Sequence, residues 1–214
     1  MNETSRFDVS APKFIAFIAI LILIGEAISY FYSLIDHVIL HGVVDIIIAI
    51  VIFLSIQIID LKKVKIPYRW WILLILGLVL LLMTLLLRYG FMLAIGSYVG
   101  ATLVLIASLL EFLSEKKTFS GSKITILLGA GLAIYESIMI LTPVSILTVN
   151  GIFGIIFALL LILTWWDKID IKIPFSWWLV LSAAFVIFTW ISPFYLGVAG
   201  TVIFVGFLLM LMQY

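Results

Sequence analysis

Most of this chain shows no alternation between hydrophobic and polar positions. The run ILLILGLVLLLMTLLL, residues 72–87, is apolar on every side. It fits neither the period-two pattern of a half-buried strand nor the one-sided stripe of a surface helix. A helix that is apolar all round is either deeply buried or surrounded by lipid. Eight such runs follow one another at approximately 13–35, 38–59, 69–88, 91–114, 123–142, 145–166, 175–192 and 194–213. Each is close to the roughly 20 residues that a membrane-spanning helix requires. Backbone groups in hydrocarbon must be bonded within their own segment, and a transmembrane barrel would need alternating strands, so the runs read as helices.

The connections between the runs fall into two kinds. After the first, third, fifth and seventh they are short: LIDH, RYG, LTPVS and ISPF. After the second, fourth and sixth they are longer and charged: DLKKVKIPYR, SEKKTFSGSK and WDKIDIKIPFS. Eleven of the twelve Lys and Arg residues lie in these linkers or near the N-terminus, leaving only Arg88 with the short turns. Basic residues favour the cytoplasmic side, so the pattern places both termini in the cytoplasm and the tight turns outside. The first apolar run is too long for a signal peptide and ends in no small-residue cleavage site, which makes it a retained span. The expected fold is therefore all-α: a polytopic, multi-pass protein of the plasma membrane, with eight transmembrane helices in four hairpins.

Composition agrees with that picture and narrows the chemistry. Of 214 residues, 66% are hydrophobic and 11% charged, and mean hydropathy is +1.40. Soluble domains carry about a quarter charged residues, so the lipid bilayer is the expected partner. The net charge of +1 gives no basic surface for nucleic acid. There is no cysteine, which excludes disulfides, iron–sulfur clusters and thiolate metal sites.

One motif is written twice. DLKKVKIPYRWWILL, from Asp60, and DKIDIKIPFSWWLVL, from Asp167, agree at seven of fifteen positions. Lys65 and Lys172 suit the cytoplasmic surface. Pro67 and Pro174 suit a first helical turn, where no N–H is needed. The pairs Trp70–Trp71 and Trp177–Trp178 suit the membrane interface as anchors. The duplication predicts a tail at 1–12, a four-helix repeat at 13–114, a cytoplasmic linker at 115–122 and a second repeat at 123–214. Four spans per unit bring the second unit in with the orientation of the first, so the repeats are tandem and parallel, unlike inverted transporter repeats. A finer pattern lies at the start of each hairpin's second helix: HGVVDIIIA, SYVGATLVL, NGIFGIIFA and GVAGTVIFV. Gly100, Gly154 and Gly200 occupy a position where small residues let helix backbones approach in lipid, and Asp45 takes the corresponding place in the first.

The segment GAGLAIYESIMILTPVSILTVNGIFGIIFALLLIL, an apolar helix with spaced glycines, a proline turn and a second glycine-bearing helix, resembles the hairpin repeat of HdeD-like acid-resistance membrane proteins. WISPFYLGVAG, from Trp190, is similar to the turn of SPW-repeat membrane proteins, with Phe194 in place of their Trp. The resemblance covers mainly the second half. It implies a small integral membrane protein without catalytic residues, serving in membrane stress or as an accessory, and supplies no site to transfer.

Few residues interrupt the apolar runs: Glu26, His37, His41, Asp45, Arg88, Glu136 and Asn150. An ionisable group in the bilayer marks a functional candidate. His37, His41 and Asp45 recur every four residues and so share one helix face. Glu26, Asp45 and Glu136 lie at similar depth below the outer turns, which allows one outward-facing polar pocket for a proton or cation. In that reading Asp45 and Glu26 are acids, His41 exchanges protons with them, and Arg88 is the counter-charge at the mouth. The other reading is structural: His41 and Asp45 pair within one helix, Arg88 snorkels outward, and Glu136 is protonated and hydrogen-bonded to a neighbour. Haem ligation is sterically unreasonable with both histidines on one helix, and no metal or other cofactor is expected. The function expected is a small non-enzymatic membrane protein of acid or envelope stress. A proton or cation transporter and a membrane subunit, homo-oligomeric or in a larger complex, are the alternatives.

Overall fold

The computed structural model describes residues 10–32, 36–57, 66–90, 98–115, 120–141, 148–165, 175–191 and 197–212. Eight α-helices account for nearly all of them: α1 (Ala11–Phe31), α2 (Asp36–Ile56), α3 (Trp70–Gly90), α4 (Tyr98–Ser114), α5 (Gly121–Leu141), α6 (Thr148–Leu163), α7 (Trp177–Val186) and α8 (Val198–Leu211). A π-helical turn, Ile187–Ile191, continues α7. No strand occurs among the described residues. Three helical stretches, Ala11–Phe31, Ile39–Ile56 and Gly121–Leu141, are long and apolar enough to cross a membrane, and the other apolar stretches are shorter. Most of the expected N-terminal tail and linkers, with Lys65 and Lys172, lies outside the described residues.

The helix ends follow from local chemistry. Pro12 sits in the first turn of α1, where its missing N–H breaks no bond. Gln57 closes α2 in the left-handed region, φ 58°, as a C-terminal cap residue does. Pro67 departs from the expectation of a first-turn proline. Residues 66–69 are non-helical, and α3 begins only at Trp70, with the Arg69 carbonyl accepting from Ile72 N at 3.1 Å. A proline holds the residue before it extended, so this segment enters the helix instead of belonging to it. Pro174 lies outside the described residues.

The chain divides into two compact units, Met1–Phe119 and Ser120–Tyr214. In the first, α1 packs on α2 and on α4, and α3 packs on α4. In the second, α5 packs on α6 and on α8, and α7 packs on α8. The interiors are built from small and branched residues that allow close approach without a polar driving force. In the second unit Ala130, Ala133, Ala183, Ala184 and Ala199 stand among Ile126, Ile187 and Ile203. There α5 and α8 interlock reciprocally. A Cβ on Gly129 would meet Ile203 Cγ1 at 2.5 Å, and one on Gly206 would meet Ile126 Cγ1 at 2.6 Å. Gly200 lies against the backbone of Phe188 in the π turn, 2.7 Å from where its Cβ would be, and a Cβ on Gly154 would overlap the Ser137 hydroxyl. Facing outward, large apolar side chains stand exposed, among them Leu82 in the first unit and Phe185, 67% exposed, in the second. Contiguous apolar surface of this kind marks contact with lipid or another apolar body.

Candidate functional site

In the first unit the polar centre forms around the start of α2. His41 and Asp45 are one turn apart on that helix, and both are buried, at 1% and 0% exposure. His41 Nδ1 approaches Asp45 Oδ1 to 3.2 Å, an ion pair when the imidazole is protonated. On the other side of the ring, Thr84 of α3 stands with its hydroxyl 3.5 Å from His41 Nε2, long for a hydrogen bond. The Tyr30 ring of α1 tilts against the imidazole with centroids 5.2 Å apart. Glu26, one turn before Tyr30, is near enough to act electrostatically on both Tyr30 and His41. Close packing delivers this arrangement. A Cβ on Gly42 would lie 3.1 Å from the Ala27 carbonyl oxygen and 3.2 Å from Tyr30 Cβ, so glycine next to His41 lets α1 and α2 meet here. The second carboxylate oxygen, Asp45 Oδ2, has no hydrogen-bond partner among the described residues. Such a buried oxygen is costly to leave unpaired, and a hydrogen-bond donor, a proton or a small cation would satisfy it.

Glu136 belongs to the second unit. Its Oε1 accepts hydrogen bonds from the backbone N–H groups of Val198, at 3.0 Å, and Ala199, at 3.2 Å. These are orphan donors of the first turn of α8. The residue at the α8 N-cap is Gly197, in the left-handed region at φ 70°, and it has no side chain with which to cap. A carboxylate from α5 performs the task across the helix interface, where the helix dipole also favours a negative charge. Glu136 is 1% exposed, and its Oε2 has no partner among the described residues. Close in chain position to that cap is the π turn, whose Trp190 carbonyl accepts from Asn150 Nδ2 at 3.3 Å.

Of the residues singled out in the sequence, the structure thus joins His41 with Asp45 and sets Glu26 beside them, while Glu136 caps a helix in the other unit. The side chains of His37 and Arg88 lie outside the described residues. Among the described residues no group of three or more His, Cys, Asp or Glu could hold a metal ion.

Two contacts were not expected. Lys13 Nζ stands 5.7 Å over the Tyr68 ring in the first unit. Lys123 Nζ stands 5.7 Å over the Phe175 ring in the second. Burial, and next the nearby Glu111, holds the Tyr68 hydroxyl above its usual range, so Lys13 faces a neutral phenol. Tyr68 and Phe175 are matched positions of the doubled motif, 107 residues apart. Lys13 and Lys123 are 110 apart, and so are Glu26 and Glu136. That constant spacing between α1 and α5 is the signal that could have paired these residues in advance. The fold and its two polar centres define an all-helical protein with helices able to cross a membrane. The chain matches no family model, no curated protein and no solved structure.

Proposed function

We propose that this chain is a small, non-enzymatic integral membrane protein serving in acid or envelope stress. All eight helices cross the plasma membrane, both termini are cytoplasmic, and two tandem four-helix repeats stand the same way up. The exposed apolar side chains of both units, together with the basic linkers, support the embedding. The matched lysine-over-ring contacts and the matched order of helix packing support the duplication. The observation that carries the stress reading is the buried His41–Asp45 pair. The pair lies wholly on α2, but its imidazole faces Thr84 of α3 and Tyr30 of α1, so protonating the carboxylate changes the charge balance where three helices meet and gives the first unit a response to acid.

Two experiments test it. Cells producing the wild type should survive an acid challenge better than cells producing Asp45→Asn or His41→Gln at equal membrane abundance. Equal survival would refute the acid role. The absence of native cysteine makes topology directly readable. Ser114→Cys should react with an impermeant thiol reagent only in opened cells, and Thr142→Cys in intact ones. The reverse pattern would invert the orientation.

A second reading, a proton or cation transporter, draws on Asp45 Oδ2 and Glu136 Oε2, buried oxygens without hydrogen-bond partners among the described residues. It requires pH-dependent flux in liposomes that Asp45→Asn abolishes. Liposomes that stay tight exclude it.

A further inference from the structure

At the linker end of the second unit there is a cavity of about 90 Å³. It holds several waters or one compact group of phosphate size. Ile126, Leu127 and Leu161 make its apolar wall, and Phe175 and Trp165 its aromatic one. Thr164 also lines it, but its hydroxyl is already committed to the Leu161 carbonyl at 2.6 Å. The strong donor left is the ammonium of Lys123, which stands over the Phe175 ring face at the rim. No carboxylate pairs with Lys123 among the described residues.

The first unit has the same device with a different charge balance. Lys13 stands over Tyr68 at the same distance, but Glu111 of α4 lies within electrostatic reach of that lysine. Counting from Gly100 in α4 and Gly200 in α8, the residue in the register of Glu111 is Leu211. By that register, the acid near Lys13 in the first unit is replaced by a leucine in the second. Trp165, Trp177 and Trp178 stand exposed at the same end of the second unit as the cavity. Exposed tryptophans of this kind sit at headgroup level.

We propose that this cavity seats the phosphate of an anionic phospholipid, with Lys123 on the phosphate oxygens and the start of an acyl chain against Ile126, Leu127 and Leu161. The apolar wall is what favours a lipid over a free phosphate, which would gain nothing from it. Basic pockets on the cytoplasmic side of helix bundles recognise anionic headgroups by this combination. The inference rests on the membrane embedding proposed above.

Native mass spectrometry of the delipidated full chain in detergent, titrated with phosphatidylglycerol or phosphatidylcholine, tests it. The wild type should retain a first phosphatidylglycerol roughly fivefold more tightly than phosphatidylcholine, the worth of one basic side chain at an anionic surface. Lys123→Gln should erase the preference, while Lys123→Arg and Lys13→Gln keep it. Equal retention of the two lipids, or a preference that survives Lys123→Gln, overturns the proposal. So does displacement of the bound lipid by millimolar inorganic phosphate, which would make the ligand a soluble anion. Alkaline carbonate extraction of cell membranes separates the two failures: a chain released by carbonate refutes the embedding itself, whereas a retained chain without lipid preference refutes only the pocket.

Discussion

Glu136 offers the sharpest quantitative test of how the second unit is held. Its carboxylate accepts from two backbone donors, Val198 N and Ala199 N, at 3.0 and 3.2 Å. Both residues are buried, so water does not substitute for the lost acceptor. Leaving one buried donor unsatisfied costs about 1–3 kcal/mol, so removing the acceptor of two costs roughly 2–6 kcal/mol. Glu136→Met removes it while keeping the length of the side chain. Glu136→Gln keeps a carbonyl oxygen in the same place and gives up only the charge assistance, a loss of about 1 kcal/mol. Equilibrium unfolding in mixed micelles, followed by circular dichroism, should therefore rank wild type above Gln and Gln well above Met. Hydrogen exchange at Val198 and Ala199 should accelerate in Met and change little in Gln. A Met variant as stable as Gln, or amides at those two positions that exchange freely in the wild type, would refute the cap.

Two further outcomes follow from the packing. Gly200→Ala should cost about 1–3 kcal/mol, because the new Cβ meets the Phe188 backbone at 2.7 Å and a backbone cannot swing aside. Gly131→Ala, where a Cβ meets nothing within 4 Å, should instead gain up to about 1 kcal/mol from helix propensity, and equal effects in the same unfolding assay would contradict the described contact of α8 with the π turn. His41→Leu and Asp45→Leu should each cost about 3–5 kcal/mol by stranding the other partner, and the double variant should cost clearly less than the two together. Strict additivity in that double-mutant cycle would mean that the two side chains do not interact.

The sequence was most legible where a pattern is local. Apolar runs located all eight helices, because a helix needs nothing beyond its own residues to declare its length. The glycine positions were legible too. Gly154 and Gly200 stand at close approaches, and the spacing of small residues announced them. The partners of these glycines were not legible, since nothing along α8 names Phe188. The apolar run put the third helix's start at residue 69, one residue from Trp70, whereas the separate reading of Pro67 as a first-turn proline failed, a choice that proline chemistry leaves open until the backbone is seen. The Glu136 cap joins residues 62 apart, and its donors are backbone amides, which no letter encodes. Asp45 takes the place of a packing glycine in the hairpin pattern, and it is fully buried. Its contact with His41 is an i,i+4 relation and so lay on the surface of the sequence. Thr84 and Tyr30, which complete that surrounding, come from other helices and needed the fold.

The π turn at Ile187–Ile191 is an α-helix carrying one surplus residue. The corresponding helix of the first unit, α3, runs without such an interruption from Trp70 to Gly90. A surplus residue shifts the side chains along the turn by up to about a third of a turn relative to a regular α-helix, which re-aims the last residues of the helix without altering its footing. Gly200, Gly154 and Asn150 meet residues of the turn itself, Phe188, Ile191 and Trp190. Excising a single codon there would return the helix to regular register and leave those three residues shaped for a neighbour that had turned away.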